Sequence, residues 1–350
     1  MAIREIEMTQ SWSLEWSHGR VTVHAGAGAI GRTRFRLEDE RWVEPFHEAP
    51  WISTGETVEP GLQNLRGDWP CLPFGRVYSV TDGLQEPWHT LSSGPMPPAA
   101  DPMVESDRLL HGYGASANWS LISQTKDRLV LGLDYPSDSP IERITRTIRP
   151  LDGQAALDVS VEIWARRPCL RPFGFHPNFA LHGAPGSFRI EPGPFKFGLT
   201  HPGSDPAGRA RPNSLFTALA DVPLKSGSSE RFEALPFADD SEDILQLCGI
   251  EGGVRLLDLH DQVAWHLNWN TERLPSCLLW MSNRGRKFPP WNGRNLCVGV
   301  EPVASAFDLG SVISSADNPI ALAGVATAIT LEPDIPLALG YRLRGQSVLG

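Results

Sequence analysis

The sequence predicts an all-β protein folded as one large antiparallel β-sandwich. Short segments in which apolar and polar residues alternate recur along the 350 residues, as they do in strands with one buried face. Glycine (33 residues) and proline (31 residues) are scattered along the chain, which suits many turns and would interrupt long helices. Strands that follow one another with few helices between them favour antiparallel sheets packed face to face.

The alternation is clearest in residues 141–148 and 156–164, which we predict to be strands. Looser alternation or a short apolar run predicts further strands at residues 12–23, 128–133, 254–259, 263–269 and 276–281. Residues typical of turns separate these segments, at 152–153, 183–186, 252–253 and 292–293.

Helical patterns are confined to two short candidates, residues 214–220 and 305–313. Two irregular stretches, residues 83–106 and 202–225, interrupt the strand pattern, and the second could mark a boundary between two halves. Because strand patterning continues on either side without a shift in composition, we interpret both as long loops. The prediction is therefore one domain over residues 1–350, with its core at about residues 15–345.

Composition limits the classes of partner. The net charge of −10 and the lack of a Lys/Arg-rich block disfavour a nucleic acid or an anionic membrane, and a neutral ligand such as a sugar fits better. Five widely spaced cysteines without a C-x-x-C pair argue against a disulfide framework and a Cys-rich zinc site. Residues 1–17 are too polar for a signal peptide, so we expect a cytoplasmic protein, as a monomer or homodimer.

Two residues are candidates for acid–base chemistry. His176 is flanked by aromatic residues and followed by a proline, a setting that holds an imidazole in one orientation with a pKa near neutrality. Glu301 ends a short apolar run, so its carboxylate is expected where a buried strand leaves the core, which suits a general base. The alternatives are a structural histidine bonded to a backbone carbonyl and a solvated glutamate at a strand end.

Four further residues are candidates for binding a ligand. His111 precedes a glycine that would let a ligand approach, and Arg66 lies beside glycine and aromatic residues, where a guanidinium could hold a hydroxyl or a phosphate. Trp280 could stack on the apolar face of a sugar ring, and Arg294 could add polar contacts. Each also has a structural interpretation, either an ion pair within a loop or hydrophobic packing.

These segments together resemble one family, the aldose 1-epimerases or galactose mutarotase-like proteins. His111-Gly112 is similar to the family's "HGF" or "HGG" element, and His176-Pro177-Asn178-Phe179 resembles its "HPYF" or "HTYF" element. Val300-Glu301-Pro302 resembles the terminal "xEP" element, and residues 66–75 resemble the "RGGIPxCWPWFG" stretch of the hexose-6-phosphate mutarotases. The four elements occur in the family's order over about residues 15–345.

The resemblance implies a β-supersandwich and an enzyme that interconverts the α and β anomers of an aldose. Glu301 would take the proton of the anomeric hydroxyl while His176 protonates the ring oxygen, with acid and base on opposite sides of one hemiacetal. The ring opens to the aldehyde and closes on the other carbonyl face. His111 would bind the sugar, and neither a metal nor a cofactor is implied.

The sequence departs from the family pattern at several positions. Asn178 stands where the family often has tyrosine, which could alter hydroxyl recognition. The acidic residue that grips distal hydroxyls in the galactose branch has no clear match, and Asp243 or its neighbour Glu242 is the candidate. Gly114 and Ala115 replace an arginine of the hexose-phosphate branch, which weakens the case for a phosphorylated substrate.

Three alternatives to a mutarotase of free sugars remain. A non-catalytic carbohydrate-binding protein would need no acid–base pair. A sugar-phosphate mutarotase is supported by Arg66 and opposed by the missing arginine. A lyase or glycosidase on a related sandwich would use a tyrosine or a second close carboxylate, and the chain has only 4 tyrosines and no obvious carboxylate partner.

Overall fold

A computed structural model of the chain describes residues 10–348, which form 25 β-strands and five short α-helices. The strands are β1 Ser11–Trp16, β2 Gly19–His24, β3 Ile30–Arg36, β4 Trp42–Val43, β5 Pro70–Cys71, β6 Ser120–Gln124, β7 Leu129–Asp134, β8 Ile141–Pro150, β9 Ala156–Ala165, β10 Cys169–Arg171, β11 Phe173–Phe175, β12 Asn178–Ala180, β13 Phe188–Pro192, β14 Phe197–Thr200, β15 Leu215–Phe216, β16 Val222–Pro223, β17 Ser229–Glu230, β18 Ala234–Leu235, β19 Ser241–Cys248, β20 Val254–Asp258, β21 Val263–Trp269, β22 Ser276–Asn283, β23 Leu296–Ala304, β24 Ile329–Leu331 and β25 Leu337–Ser347. The helices are α1 Pro50–Thr54, α2 Trp88–Ser92, α3 Tyr113–Ser116, α4 Gly310–Ser315 and α5 Pro319–Leu322.

Two large antiparallel sheets contain most of the strands, which confirms the predicted β-sandwich. The first has eight strands in the order β15-β14-β19-β22-β23-β11-β5, with β12 also paired to β23. The second has nine strands in the order β18-β13-β20-β21-β25-β9-β8-β7-β6. A four-stranded sheet, β1 to β4, and two strand pairs, β10 with β24 and β16 with β17, complete the described fold.

Alternate residues of the central strands face two different environments. On β23, Val298 and Val300 belong to the apolar core shared by the two large sheets, whereas Cys297 and Val303 belong to a second apolar cluster on the outer face of the eight-stranded sheet. This follows from the two-residue period of a strand. Glu301 has the parity of Cys297 and Val303, so the sheet directs it away from the sandwich core and into the outer layer.

A buried ion pair joins the two sheets. Asp68, which precedes β5, pairs with Arg146 of β8, and both side chains are fully buried. Arg146 also donates to the backbone oxygen of Gly28 at 2.9 Å, and the hydroxyl of Tyr341 donates to Oδ2 of Asp68 at 2.7 Å. Oδ1 of Asp68 accepts the backbone N–H of His176 at 2.9 Å. One carboxylate therefore ties two strands of the nine-stranded sheet to the segment that carries His176.

Most of the predicted strands are confirmed, and the helix predictions are largely wrong. Residues 12–23 form two strands rather than one, β1 and β2. Residues 214–220 form β15 and a 3-10 turn, because β15 pairs with β14 and this pairing outweighs local helical preference. In residues 305–313, Phe307 (φ 49°) and Gly310 (φ 69°) adopt left-handed backbone, so the helix α4 begins only at Gly310.

The two stretches interpreted as loops contain short elements, with α2 in the first and β15 and β16 in the second. The first nine and last two residues of the predicted domain lie outside the described residues. The prediction that residues 1–17 are not a signal peptide therefore falls partly on residues that are not described. No helix in residues 10–348 combines the length and the apolar character that a membrane crossing needs.

We predict that Arg146→Met destabilises the protein by about 3–5 kcal/mol, because it leaves the carboxylate of Asp68 buried without its counter-charge. Urea denaturation measures this loss. The matched control is Arg342→Met in the same sheet, where the ion pair with Asp158 is exposed and the expected loss is about 1 kcal/mol or less. Equal losses for the two variants would contradict a structural role of the buried pair.

Candidate active site

A cleft of about 450 Å³ lies on the outer face of the eight-stranded sheet. It is lined by four of the seven residues singled out from the sequence, namely His111, His176, Trp280 and Glu301. They come from distant parts of the chain, and the strand pairing of β22 and β23 together with the segments around β11 and β12 brings them together.

Glu301 is held on β23 with its carboxylate over a glycine. A Cβ atom at residue 299 would lie 2.2 Å from Oε1 of Glu301. Only glycine at residue 299 therefore leaves room for this carboxylate. The residue is 1% exposed, and neither carboxylate oxygen has a hydrogen-bond partner among residues 10–348. Burial raises the pKa of Glu301 well above its ordinary value, and the charges of Asp308 and Asp68 raise it further.

His176 lies where the chain breaks between β11 and β12, both of which pair with β23. Its backbone N–H donates to Oδ1 of Asp68 at 2.9 Å and to the oxygen of Trp69 at 3.1 Å. The amide of Asn178 donates to the backbone oxygen of His176 at 2.8 Å, so this asparagine stabilises the break. The imidazole stacks on the ring of Trp69 with centroids 4.3 Å apart and planes at 17°.

The two candidate catalytic groups are neighbours. Nδ1 of His176 lies 3.5 Å from Oε1 of Glu301, and both side chains are almost fully buried. Burial, and then the neighbouring His111, lower the pKa of His176 well below its ordinary value. Since burial favours the uncharged form of both groups, the two shifts place the proton of the pair on Glu301 and leave the imidazole neutral.

His111 completes the group from the other side of the cleft. Its backbone is left-handed (φ 57°), and its N–H donates to the oxygen of Gly75 at 2.7 Å. The ring lies edge-on to His176, with centroids 4.9 Å apart. Burial lowers the pKa of His111 to about 4, so the ring is neutral at pH 7 and can exchange hydrogen bonds with a hydroxyl.

Trp280 forms part of an aromatic wall. Its ring lies 5.9 Å from that of His176 and 5.9 Å from that of Trp291. Nε1 of Trp280 donates to Oε1 of the buried Glu242 at 2.6 Å, and Ser282 donates to the other oxygen at 3.1 Å. Burial raises the pKa of Glu242 to about 7. Glu242 therefore orients the indole and lies behind the cleft lining.

Asp243 does not line this cleft, unlike the residues above. It follows Glu242 on β19, so the two-residue period of the strand directs it to the opposite face. There Oδ1 of Asp243 accepts the backbone N–H groups of Arg209 and Ala210 at 2.8 and 2.9 Å. These contacts give Asp243 a structural role in holding the 209–210 loop.

The two arginines predicted to bind ligand also lie outside the cleft lining. Nη1 of Arg66 contacts the imidazole of His24, with 3.2 Å to Nε2. Arg294 is turned to the surface, where Nη2 donates to Oε1 of Glu56 at 2.9 Å. Both guanidinium groups are held by neighbours at some distance from the acid–base pair, so their positions do not support sugar contacts.

Several cleft residues were not identified from the sequence. They follow or lie far from the motifs, and they are Arg76, Tyr78, His201, Asp205, Arg286 and Asp308. Trp69 lies within the segment 65–75 already singled out, and extending that segment by three residues would have included Arg76 and Tyr78. His201 directly follows β14, and Asp308 lies in the stretch predicted as a short helix; no local pattern indicates a site at either residue.

The chemistry available to the cleft is that of its own acids and bases. The five cysteines are buried free thiols, and none lines the cleft. Among residues 10–348, no three or more His, Cys, Asp or Glu side chains are grouped as metal ligands would be. The arrangement can transfer protons to and from a bound hydroxyl through Glu301, His176 and His111.

Solved structures similar to this chain share its fold. No protein-family model matches the chain, and a search of curated proteins found no match. An Escherichia coli K12 protein provisionally assigned as an aldose 1-epimerase matches with a TM-score of 0.65 at 15% identity, over 97% of this chain and 99% of that chain. The GalM/aldose epimerase homologue from C. elegans matches with a TM-score of 0.61 at 11% identity, over 97% of this chain and 100% of that chain.

A galactose mutarotase-like protein from Lactobacillus casei ATCC 334 matches with a TM-score of 0.60 at 14% identity, over 96% of this chain and 100% of that chain. All three matches extend over nearly the whole of both chains. The resemblance inferred from the sequence is confirmed at the level of the fold, which is that of the galactose mutarotase-like proteins.

The pKa shifts predict opposite effects of pH on the stability of two variants. The raised pKa of Glu301 stabilises the fold below about pH 4.5, and this contribution is lost as the pH rises towards the folded-state value. Glu301→Gln does not titrate, so its stability relative to wild type should rise above pH 4.5, by at most about 1.4 kcal/mol per pH unit. Urea denaturation between pH 4 and 8 measures the difference.

His176→Asn provides the contrast, since the lowered pKa of His176 stabilises the fold above pH 6.5 and the contribution is lost as the pH falls. Its relative stability should therefore rise as the pH falls below 6.5. If the free energy of unfolding of both variants differed from that of wild type by a constant amount across this pH range, the two pKa shifts would be contradicted.

Proposed function

We propose that this protein is an aldose 1-epimerase-like isomerase that interconverts the α and β anomers of an uncharged aldose. The observation that carries the proposal is the contact of 3.5 Å between the buried imidazole of His176 and the buried carboxyl of Glu301 in one cleft. A carboxylate without hydrogen-bond partners is costly to bury, which favours a functional reason for its presence. The cleft volume lies within the usual range for small-molecule sites.

The reaction needs one base and one acid acting on two oxygens of the same carbon. Glu301 accepts the proton of the anomeric hydroxyl, the bond from C1 to the ring oxygen breaks, and the ring oxygen takes a proton from His176. The aldehyde turns about the C1–C2 bond, and the reverse transfers close the ring on the other face. No net proton is gained or lost, so the pair returns to its starting state.

The positions of acid and base differ from the sequence expectation. The family resemblance implies groups on opposite sides of one hemiacetal, whereas His176 and Glu301 are adjacent, with Nδ1 3.5 Å from Oε1. Adjacent groups suit the reaction because the anomeric hydroxyl and the ring oxygen are both bonded to C1. The reaction uses the form of the pair in which His176 carries the proton and Glu301 is ionised, which burial disfavours relative to the uncharged pair.

The remaining residues of the lining support binding of a monosaccharide. Trp69 and Trp280 line the cleft, and their indoles give it apolar surface against which the apolar face of a pyranose can pack. The neutral His111 is placed to bind a hydroxyl near the reacting carbon. A sugar partner, a cytoplasmic location and a monomeric or homodimeric state belong to the same proposal.

Replacing either member of the pair should abolish most of the catalysis. We expect Glu301→Gln and His176→Asn each to lower the rate of anomer exchange by about 10²–10⁴-fold, the usual contribution of a positioned acid or base. NMR exchange or polarimetry of freshly dissolved α-anomers over a panel of aldoses measures the rate. Arg294→Met is the control, because its guanidinium lies at the surface on Glu56, and it should retain the wild-type rate.

If wild-type protein binds aldoses without accelerating anomer exchange, the isomerase proposal is rejected in favour of a non-catalytic carbohydrate-binding protein. If the two variants are as active as wild type, the assignment of Glu301 as base and His176 as acid is rejected.

A phosphorylated substrate is less well accommodated than a free sugar. Of the described residues that line the cleft, two are arginines, and both are already paired. Nη2 of Arg76 lies 3.2 Å from Oδ1 of Asp82, and Nε of Arg286 lies 3.5 Å from Oδ2 of Asp205. A phosphate would have to displace these carboxylates or add to their negative charge.

We therefore expect kcat/KM for an aldohexose to exceed that for its 6-phosphate by about tenfold or more, since breaking such an ion pair costs on the order of 1 kcal/mol and the added like charge opposes binding further. The same NMR assay measures both substrates. Asp82→Asn frees Arg76 and should narrow the difference. Faster turnover of the phosphate by wild type would favour the sugar-phosphate mutarotase instead.

A further inference from the structure

A second polar cluster lines the same cleft beside the proposed acid–base pair. It consists of Tyr78, His201 and Asp308, which we call the Asp308 cluster. Oδ1 of Asp308 lies 2.9 Å from Nε2 of His201, and Oδ2 accepts the hydroxyl of Tyr78 at 3.1 Å. The carboxylate keeps 20% of its side-chain surface exposed to the cleft.

The cluster holds its carboxylate in the ionised form. Burial would raise the pKa of Asp308, but the hydrogen bond from His201 and the charge of Arg76 hold it well below its usual range. The backbone N–H of Gly203 donates to Nδ1 of His201 at 3.0 Å, so Nδ1 is an acceptor and Nε2 is the nitrogen that donates to Asp308. Both ring nitrogens are thus engaged, and His201 serves to orient the carboxylate.

The backbone around Asp308 is fixed from both sides. Phe307 has left-handed backbone (φ 49°), and its N–H donates to Oε1 of the buried Gln246 at 2.6 Å. The N–H of Arg76 donates to the backbone oxygen of Asp308 at 2.9 Å. A Cβ atom at Gly75 would lie 2.2 Å from that same oxygen, so only glycine permits this approach. A left-handed aromatic residue costs energy and is retained where the surroundings determine it, which is common at binding sites.

Each oxygen of Asp308 has one donor in the protein and can accept a second hydrogen bond. An ionised carboxylate accepts O–H donors more strongly than a neutral group does, and it repels anions. We propose that the Asp308 cluster is a specificity subsite that receives two neighbouring hydroxyl groups of the aldose remote from C1. This inference rests on the proposed function, because it takes the anomeric carbon to lie at Glu301 and His176.

Titratable and charged groups of five segments line the cleft around the subsite. They are His111 and Glu301 on the proposed catalytic side, Arg76 before Tyr78, and Asp205 and Arg286. Arg76 stacks its guanidinium 3.6 Å from the centroid of Tyr78 and is paired to Asp82, so it does not neutralise Asp308 by direct contact. The carboxylate of Asp308 is therefore left facing the cleft as an acceptor of hydroxyl hydrogen bonds.

The test combines a protein variant with altered sugars. Equilibrium affinities are measured by tryptophan fluorescence or NMR titration for an aldohexose and its 2-, 3-, 4- and 6-deoxy analogues, with wild type and Asp308→Asn. We expect Asp308→Asn to weaken binding of the parent sugar about 10-fold to 100-fold, the range for hydrogen bonds to a charged group. It should weaken binding of one or two deoxy analogues by much less, because those sugars already lack the hydroxyl that Asp308 accepts.

Asp158→Asn is the matched control, since it neutralises an exposed aspartate on the nine-stranded sheet and should leave all affinities unchanged. If Asp308→Asn fails to fold, His201→Gln replaces it, and a weaker form of the same selective pattern is expected. An equal loss for every analogue, no loss for any, or no binding of any sugar by wild type would overturn the subsite.

Anomer exchange is followed in the same samples, so that the two proposals can fail separately. The selective pattern without accelerated exchange would reject the isomerase and retain the subsite. Accelerated exchange with uniform losses of affinity would retain the isomerase and reject the subsite.

Discussion

The buried carboxylate of Asp68 is the constraint on which the candidate active site depends. It receives Arg146 and the hydroxyl of Tyr341 from one sheet and the backbone N–H of His176 from the other. A buried ion pair is weak evidence for net stability, because desolvation offsets the attraction between the charges. Its geometric effect is clearer, since every bond fixes the position of His176 relative to the sandwich. The same carboxylate contributes negative charge near Glu301, where it helps to keep that carboxyl protonated.

Strand parity then decides which side chains can share a site with His176. Residues of β23 alternate between the apolar core and the outer layer, so Glu301 reaches the cleft while its neighbour Val300 packs inside. The break between β11 and β12 passes over the same part of β23, and Val300 donates its N–H to the oxygen of Pro177 at 3.0 Å. Because the proposed acid and base lie on or between strands paired in one sheet, the sheet sets their separation, which is the preorganisation that the proposed proton transfer requires.

The sequence was sufficient for the parts of this arrangement that local pattern determines. Period-two alternation locates most long strands, and local setting singles out His176 and Glu301. Glu301 nevertheless lies within β23 rather than at its end, and burial lowers the pKa of His176 well below the expected neutral range. The sequence alone does not decide which of Glu242 and Asp243 faces the cleft. A shift of one residue in strand register exchanges the faces of two neighbouring residues, and no local signal fixes that register. Asp308 and His201 are 107 residues apart, and only tertiary folding brings them together. The positive φ of Phe307, which aims Asp308, is equally invisible in a stretch whose composition resembles a short helix.

The cleft therefore contains two carboxyl groups that the surroundings drive to opposite states. Asp308 accepts hydrogen bonds from His201 and Tyr78 and stays ionised. Glu301 accepts none from the described residues, and burial together with the charge of Asp308 raises its pKa, which favours the protonated form. Such a division is how one site assigns different roles to the same chemical group. A permanently ionised carboxylate can hold hydroxyls but cannot donate a proton. The carboxyl of Glu301, whose pKa is raised by burial, lies 3.5 Å from His176, and proton exchange at one carbon is what the proposed anomerisation demands.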